Sequence, residues 1–481
     1  MLFNSVEFII FFLIVTSGYF AIPHKFRWLW LLLASCYFYM FFIPVYILIL
    51  GFTIVIDYFA GILIENAQGK KRKAYLTISL IANIGVLAVF KYYNFFIENI
   101  NLLLPAHHLP YLSILLPVGL SFHTFQAMSY SIEVYRGNQK AERHFGIYAL
   151  YVMFYPQLVA GPIERPQNVL HQFHEKHEFS YKNMTDGLKL MAWGMFKKVV
   201  IGDNLSLMVD RVYNDPTSYE GVPLIVATVC FAFQIYCDFS GYSDIALGSA
   251  QTMGFKLMKN FDRPYFSKSI SEFWRRWHIS LSTWFRDYLY IPLGGNKVPY
   301  FRQLFNLFVV MLVSGLWHGA SWNFIIWGAL HGFLLVAARL RDTYLPQIRL
   351  KITNLFTKII HVLLVFVLVD FGWIFFRAST WADARYIVTH LFSNIRLADL
   401  RNADYLRDNV FLGLSKQYLL VVLLSWLFME SVHYYQRNKS IGLMLATKNK
   451  WLRWGAYALL VTWILIFGAF EKSSQFIYFQ F

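Results

Sequence analysis

Long apolar runs recur along the chain, and short stretches that carry most of the charged residues separate them. The first five runs cover residues 1–22, 28–42, 45–64, 75–96 and 112–133. A helix of about 18 or more apolar residues is long enough to cross the hydrocarbon core of a membrane. Further apolar segments fall near residues 146–160, 186–201, 223–250, 304–316, 320–338, 356–376, 417–432 and 454–470. The pattern predicts an all-α, polytopic membrane bundle of about 11 to 13 transmembrane or re-entrant helices.

The basic residues predict how these helices are oriented. The loops after the second and fourth runs contain no Lys or Arg. The loops after the first, third and fifth runs are basic, with Lys25 and Arg27, then Lys70–Lys73, then Arg136, Lys140 and Arg143. Since basic loops remain on the cytoplasmic side, the alternation predicts an extracytoplasmic N-terminus, whereas the side of the C-terminus stays open. The first run has no cation before it, which favours a retained helix over a cleaved signal peptide.

The composition agrees with a membrane protein. Of 481 residues, 57 % are hydrophobic and only 15 % are charged, which excludes an ordinary soluble globular chain. A net charge of +16 would suggest nucleic-acid binding in a soluble protein, but the cations lie between apolar runs and orientation in the membrane accounts for them. Cys36, Cys230 and Cys237 form no CxxC pair and predict neither a disulfide framework nor a zinc site.

Residues 272–332 carry the densest combination of polar chemistry and apolar sequence. Their first half contains Glu272, Arg275, Arg276, His278, Arg286 and Asp287. On a single helix, Glu272, Arg275, His278, Ser282 and Arg286 would share one face, opposite a face of aromatic residues. Two interpretations fit this pattern: an interfacial helix with snorkelling arginines, or a polar wall that lines a cavity inside the bundle.

His318 lies within the apolar residues 304–338. One continuous helix over this range would be about 50 Å long, so it must tilt strongly or break, and Gly315 and Gly319 mark the place where a break is expected. Broken backbone at membrane depth is tolerated only inside protein or beside a water-filled cavity. A histidine there would suit a general base, and the alternative is a core histidine satisfied by one hydrogen bond.

Other polar residues give weaker signals. Gln234, Asp238 and Asp244 lie in or beside the apolar residues 223–250, where a carboxylate needs a partner, a pocket or an interfacial position. His171, His174 and His177 have a metal-like spacing but lie in a polar loop, so we expect no metal site there. The sequence contains no P-loop, HExxH, GxSxG or GxGxxG motif, which leaves hydrolytic and nucleotide-driven chemistry without support.

Several segments resemble one family. FWRRWHISLSTWFRDYLYIPLGGN, residues 273–296, resembles the signature of membrane-bound O-acyltransferases of the alginate O-acetyltransferase branch, and SGLWHGASWNFIIWGALHG resembles that family's second histidine motif. QIYCDFSGYSDIALGSAQTMGF, Tyr155–Gln167 and QFIYFQF are also similar to this branch. The resemblance covers essentially the whole chain. It implies a single membrane domain over residues 1–481, with helices around a central funnel and a catalytic core at about residues 223–338.

The resemblance also implies an activity: transfer of an acetyl group from a cytoplasmic donor, acetyl-CoA, toward a hydroxyl of an extracytoplasmic polysaccharide such as alginate. His318 matches the catalytic histidine, and His278 matches the second motif position. Arg275, Arg276 and Arg286 are candidates to hold donor phosphates. The remaining candidate donor- or substrate-binding residues are Ser282, Asp287, Asp238, Trp317 and Asn323.

The implied setting is the bacterial cytoplasmic (inner) membrane, with no bound cofactor, no metal and no nucleic-acid partner. A periplasmic SGNH-type acetyltransferase or the polysaccharide itself is the expected partner. Three alternatives stay open: transfer of D-alanine or another acyl group to a cell-wall polymer, a glycan transporter, or a non-catalytic scaffold. A transporter predicts paired inverted repeats, which the sequence does not display.

Overall fold

The structure is a computed structural model. It describes residues 1–104, 108–113, 116–159, 161–348, 353–396, 398–437, 444–445, 447–470 and 476–477. Every regular element in these ranges is helical, which confirms the all-α prediction.

The chain divides into two compact units. The first comprises Met1–Met191 and Tyr242–Lys259, and the second comprises Ala192–Gly241 and Asn260–Phe481. Most of the segment predicted as the catalytic core, residues 223–338, belongs to the second unit. The single membrane domain expected over residues 1–481 stays a prediction.

Among its described residues, the first unit holds nine complete helices and most of a tenth. They are α1 (Val6–Ala21), α2 (His24–Met40), α3 (Ile47–Asn66), α4 (Gly69–Leu87), α5 (Tyr93–Leu103), α6 (Leu120–Arg136), α7 (Phe145–Met153), α8 (Tyr155–Leu158), α9 (Pro166–Val169) and α10 (Tyr181–Met195).

The later helices belong to the second unit, except that the last residues of α12 are part of the first. They are α11 (Asp203–Tyr213), α12 (Val222–Thr252), α13 (Ile270–Arg276), α14 (Ile279–Phe285), α15 (Tyr300–His318), α16 (Trp322–Tyr344), α17 (Leu355–Arg377), α18 (Trp381–His390), α19 (Ala403–Tyr405), α20 (Lys416–Gln436) and α21 (Lys450–Phe467).

In the part of the chain that the structure describes, four segments are π-helical: Ala88–Tyr92, Phe196–Gly202, Arg286–Tyr290 and Leu406–Val410. The first joins α4 to α5, so that Gly69–Leu103 is one continuous rod. Single 3₁₀ turns form at Pro44–Tyr46, Leu170–Phe173, Pro216–Ser218, Pro264–Phe266, Pro346–Ile348 and Asp399–Arg401.

Seven helices in the described ranges are long and apolar enough to cross a membrane. They are Pro44–Asn66, Gly69–Leu103, Val222–Thr252, Tyr300–His318, Trp322–Tyr344, Leu355–Arg377 and Lys416–Gln436. Val6–Ala21 is a shorter apolar helix. The multi-pass prediction is therefore confirmed. The expected count of about 11 to 13 included re-entrant segments and stays a prediction. Over the described residues 146–159, one of the apolar segments, the helices are the short α7 and α8.

A buried polar cluster links three helices of the first unit. The carboxylate of Asp57 on α3 accepts hydrogen bonds from the Ser79 hydroxyl at 2.5 Å and from the Asn83 amide at 2.8 Å, both on α4. Ser131 on α6 donates to the same carboxylate at 3.4 Å, and its hydroxyl oxygen lies 2.9 Å from that of Ser79. All four residues are fully buried. Because a buried carboxylate is costly without partners, this cluster fixes how α3, α4 and α6 pack.

Glycine allows α15 and α16 of the second unit to pack closely. A Cβ atom on Gly315 would lie 2.2 Å from the Phe324 carbonyl oxygen, and one on Gly328 would lie 2.5 Å from the Met311 carbonyl oxygen. Close approach through small residues is a common way for membrane helices to associate. The predicted break is confirmed, since α15 ends at His318, Gly319 is extended, and α16 begins at Trp322.

Substitution of Asp57 by alanine should destabilise the protein. It leaves the amide of Asn83 and the hydroxyl of Ser79 without their carboxylate acceptor, and we expect a loss of roughly 1–3 kcal/mol. The measurement is thermal unfolding in detergent. Thr53→Val is the control, because the buried Thr53 hydroxyl donates to the Leu50 carbonyl of its own helix. Equal melting temperatures for the two variants would contradict the role given to the cluster.

Gly315→Ala should destabilise the α15–α16 pair, because the added methyl group meets backbone atoms that cannot move independently. We expect the free energy of unfolding to fall by about 1–3 kcal/mol and His318, at the end of α15, to be displaced. Gly51→Ala is the matched control: among the described residues, no side chain and no other helix lies within 4 Å of the position that its Cβ would take, so it should be neutral or stabilise by up to ~1 kcal/mol. Similar melting curves for both variants would exclude the close-packing argument.

Candidate active site

His278 and His318 lie close together in the second unit. Their ring centroids are 6.4 Å apart, and both residues are buried. His318 is the last residue of α15, and His278 lies between α13 and α14. The structure thus brings together two histidines that belong to separate sequence motifs.

The prediction of one amphipathic helix over residues 272–288 is wrong. Helix α13 ends at Arg276, Trp277 is extended, and His278 takes a left-handed conformation with φ of 42°. Such a conformation costs of order 1–3 kcal/mol for a residue with a side chain and persists only when its surroundings fix it. The predicted polar face is therefore absent: His278 points inward, whereas Arg275 and Arg286 are exposed.

Residues 260–262 fix this break by hydrogen bonding. The Ile279 amide donates to the Asn260 carbonyl at 2.9 Å, and the Asp262 amide donates to the Arg276 carbonyl at 2.9 Å. The Asn260 side-chain oxygen also accepts from the Ser280 amide and from the Ser280 hydroxyl, at 3.2 and 2.9 Å. These bonds satisfy backbone groups that a continuous helix would have paired within itself.

Aromatic rings surround His278. Phe239 of α12 contacts it edge-on at 4.6 Å, and the rings of Phe261 and Trp317 lie 6.4 and 6.2 Å away. Burial lowers the pKa of His278 to about 3, so its imidazole is neutral at physiological pH. A neutral imidazole has one nitrogen that donates and one that accepts a hydrogen bond.

His318 occupies a similar aromatic setting. The rings of Trp317, Trp327 and Phe376 lie 5.0, 4.9 and 5.3 Å from it. Three different helices, α15, α16 and α17, supply these rings. Since their packing leaves little room for another rotamer, the imidazole is held in place before any substrate arrives.

A third buried histidine, His331 of α16, was not among the residues predicted from the sequence. Its ring lies 4.9 Å from Trp327 and 5.0 Å from Trp274. Within the described ranges, neither ring nitrogen of His331 has a hydrogen-bond partner. The signal was available, because His331 lies in the apolar residues 320–338 and an ionisable residue in such a run is a functional candidate.

The predicted donor-binding residues occupy different surroundings. Arg276 pairs with Glu272 at 2.8 Å, and Arg286 pairs with Asp287 at 2.7 Å. Ser282 belongs to the chain break, where its hydroxyl donates to the Trp277 carbonyl at 3.2 Å.

Two further candidates, Asn323 and Trp317, have different surroundings. The buried Asn323 amide donates to the Ala378 carbonyl at 2.9 Å and so ties α16 to the end of α17. Trp317 packs against both His278 and His318. The structure therefore groups Trp317 with the histidines, whereas Arg275 and Arg286 are exposed.

Asp238 has the ionic partner that its apolar context required. Lys198 lies 2.6 Å from its carboxylate and 2.7 Å from that of Asp203, and all three residues are buried. The neighbouring residue on α12, Phe239, is the ring that contacts His278. Lys198 was not predicted from the sequence, although a lysine pair inside the apolar residues 186–201 is an available signal.

The three histidines with metal-like spacing contact three different groups. His174 pairs with Glu142 at 2.8 Å, His171 lies 3.8 Å from Glu175, and His177 contacts the Gln172 carbonyl at 3.0 Å. The described part of the chain contains no group of three or more potential side-chain ligands in a metal-binding arrangement.

Comparison with known proteins places this architecture in a family. Residues 141–380 match the model of the membrane-bound O-acyltransferase family. The chain is 34 % identical to the peptidoglycan O-acetyltransferase of Helicobacter pylori, over 100 % of this chain and 98 % of that protein. This chain belongs to the membrane-bound O-acyltransferase family. It is an O-acyltransferase, and both candidate histidines lie within the residues that the family model matches.

Two other relatives of this acyltransferase differ in their extent of similarity. The probable alginate O-acetylase AlgI of Azotobacter vinelandii is 38 % identical over 84 % of this chain and 81 % of that protein. The teichoic acid D-alanyltransferase of Streptococcus thermophilus is 32 % identical over 46 % of this chain and 56 % of that protein.

Proposed function

We propose that this acyltransferase moves an acetyl group from cytoplasmic acetyl-CoA to a hydroxyl of an extracytoplasmic polysaccharide. The observation that carries the proposal is the buried pair of His278 and His318 in a chain of this family. Each histidine lies at a helix break, and their ring centroids are 6.4 Å apart. Such a pair offers proton transfer in a site walled by aromatic rings, where a thioester is protected from water.

In the proposed reaction, His318 is the general base. It accepts the proton of the attacking hydroxyl while the hydroxyl oxygen forms a bond to the thioester carbonyl carbon. The carbon–sulfur bond then breaks, and the thiolate takes the proton back from His318. His278, neutral and held in its left-handed conformation, is placed to orient the reacting group by a hydrogen bond.

The arginines supply the proposed contacts to the donor. Guanidinium groups bind phosphates in bidentate geometry, and the coenzyme carries several phosphates. Arg275 and Arg286 are exposed and thus reachable by a large polar donor, although Arg286 pairs with Asp287; the less exposed Arg276 pairs with Glu272. Ser282 and Asp287, which adjoin these residues, remain proposed donor contacts.

The proposed acceptor class follows from the relatives. The peptidoglycan O-acetyltransferase and the probable alginate O-acetylase are both named for acetyl transfer to a glycan polymer, and they match 100 % and 84 % of this chain. The D-alanyltransferase matches only 46 %, which favours acetyl over D-alanyl transfer. Membership in an acyltransferase family likewise favours an enzyme over a glycan transporter or a scaffold.

The proposed setting is the bacterial inner membrane, with the N-terminus outside the cytoplasm. The basic loops at Lys70–Lys73 and Arg136–Arg143 support this orientation. A periplasmic SGNH-type acetyltransferase is the proposed partner that completes delivery to the polymer.

His318→Gln should abolish O-acetylation of the cell-surface polysaccharide. Removal of a general base typically costs 10²–10⁴-fold in rate, while glutamine preserves much of the buried volume. The measurement is ester-linked acetate released by mild base from purified polysaccharide, at matched protein levels in the membrane. His171→Gln is the control, because His171 is exposed. Wild-type acetate levels in the His318→Gln strain would eliminate the proposed catalytic role.

The donor can be tested by sidedness. Inverted membrane vesicles expose the cytoplasmic face, so radiolabelled acetyl-CoA added outside them should label an acceptor, whereas right-side-out vesicles should give little labelling. His318→Gln vesicles provide the background. Equal labelling from both vesicle orientations, or labelling only with a carrier-bound acyl donor, would refute cytoplasmic acetyl-CoA as the donor.

A further inference from the structure

A buried ionic cluster lies beside the candidate site in the second unit. Lys198 contacts Asp203 at 2.7 Å and Asp238 at 2.6 Å, and Lys197 donates to the Ser240 hydroxyl at 2.9 Å. Each of these residues is at least nine-tenths buried. With two ammonium groups and two carboxylates, the cluster is neutral overall, which makes its burial tolerable. Removal of one ionic partner of Lys198 leaves a buried charge without its counter-charge.

The charge state of Lys198 follows from this arrangement. Burial lowers the pKa of the amine, but the charges of Asp238 and Asp203 and their hydrogen bonds more than offset that effect, and the pKa lies above its ordinary value. Lys198 is therefore protonated at neutral pH and acts as a fixed cation for both carboxylates.

Close backbone packing holds Lys198 next to α12. A Cβ atom on Gly241 would lie 3.0 Å from the Lys198 amide nitrogen, and one on Gly202 would lie 3.3 Å from the Asp238 amide nitrogen. Both glycines lie at the contact between α12 and the π-helical segment Phe196–Gly202. π-Helical turns of this kind often occur at functional sites.

The same π-helical region binds the chain that follows α21. The Val199 carbonyl accepts a hydrogen bond from the Ala469 amide at 3.0 Å, and the Asn204 side chain donates to the Phe467 carbonyl at 3.0 Å. These contacts attach the end of α21 and the residue Ala469 to the π-helical region.

Asp238 holds a later part of that chain. Its second carboxylate oxygen accepts a hydrogen bond from the Ile477 amide at 2.8 Å. Phe476 and Ile477 are 1 % and 3 % exposed. The ring of Phe476 lies 5.6 Å from that of Phe239, which in turn lies 4.6 Å from His278. A continuous line of contacts therefore runs from Lys198 to a histidine of the candidate site.

We propose that Asp238 is a positioning residue that holds the segment Phe476–Ile477 against Phe239 and thereby fixes His278 in the candidate site. Lys198 binds one carboxylate oxygen of Asp238 and so orients the carboxylate, whose other oxygen accepts the hydrogen bond from the Ile477 amide. This inference rests on the proposed function, because the consequence of positioning is measured as acetyl transfer. In this role Asp238 acts through Ile477, Phe476 and Phe239.

The first arm of the test measures acetyl transfer in vesicles. Ile477→Pro removes the amide hydrogen that Asp238 accepts, and Asp238→Asn removes the charge that Lys198 holds. Each should lower kcat roughly tenfold with KM for acetyl-CoA unchanged, within the range that a misplacement of about 1 Å costs. The double variant should be no slower than either single variant, because both act on the same contact: without its charge, residue 238 is no longer oriented by Lys198 toward the Ile477 amide.

Two variants serve as matched controls. Asp203→Asn removes an equal charge from Lys198 but leaves the contact between Asp238 and Ile477, and Ile477→Val keeps the amide hydrogen. Both should retain more than half of the wild-type kcat. If Asp203→Asn slows transfer as much as Asp238→Asn, with the same fall in melting temperature, the cluster is only structural and the proposal is wrong. Additive losses in the double variant would also overturn it.

The second arm does not depend on acetyl transfer. The Phe476→Cys variant of the otherwise wild-type protein should react slowly with a maleimide, since residue 476 is buried. Adding Asp238→Asn to this variant should speed labelling at least tenfold, whereas adding Asp203→Asn should not. Protein without Phe476→Cys gives the background labelling of Cys36, Cys230 and Cys237. Unchanged labelling overturns the proposal. Faster labelling with wild-type kcat overturns the link to the reaction, and a wild-type protein that transfers no acetyl group overturns the proposed function alone.

Discussion

The requirement that every backbone group away from water find a partner within the protein governs this structure. Both candidate histidines lie where a helix stops, His318 at the end of α15 and His278 between α13 and α14. The chain can stop there only because other segments supply hydrogen bonds. Asn260 and Asp262 do so for the His278 break, which makes a loop outside both histidine motifs essential to the geometry of the site.

The aromatic surroundings of the two imidazoles have a chemical consequence. Rings from α12, α15, α16 and α17 and from the residues next to α14 pack in one contiguous group, among them Phe261, Trp277, Trp327 and Phe376. In such a setting both imidazoles have restricted rotamers, and water is largely excluded. Those are conditions that favour attack by a hydroxyl on a thioester over hydrolysis of the thioester.

The two units meet the same electrostatic constraint in different ways. In the first unit, Asp57 is satisfied by hydroxyl and amide donors from two other helices, and the result is a fixed helix arrangement. In the second unit, Asp238 is satisfied by a lysine, and one oxygen remains to bind backbone from a remote part of the chain. The neutral donors around Asp57 hold helices together. The ion pair of Lys198 and Asp238 also orients the carboxylate, so that its second oxygen accepts a hydrogen bond from Ile477.

The apolar runs alone determined the helical, multi-pass class, because each run is long enough to satisfy its own backbone and needs no other segment to do so. They also indicated where a break is expected, near Gly319, since a helix over residues 304–338 would exceed the membrane thickness; the structure decided for a break over a strong tilt. The break at His278 depended on tertiary structure: helical periodicity is a local property, and hydrogen bonds from residues 260–262 overrode it. Only the tertiary structure could decide that His278 faces His318 while Arg275 and Arg286 face outward, and that Lys198 and Ile477 meet at Asp238. Those contacts join residues far apart in sequence, and no periodicity encodes them.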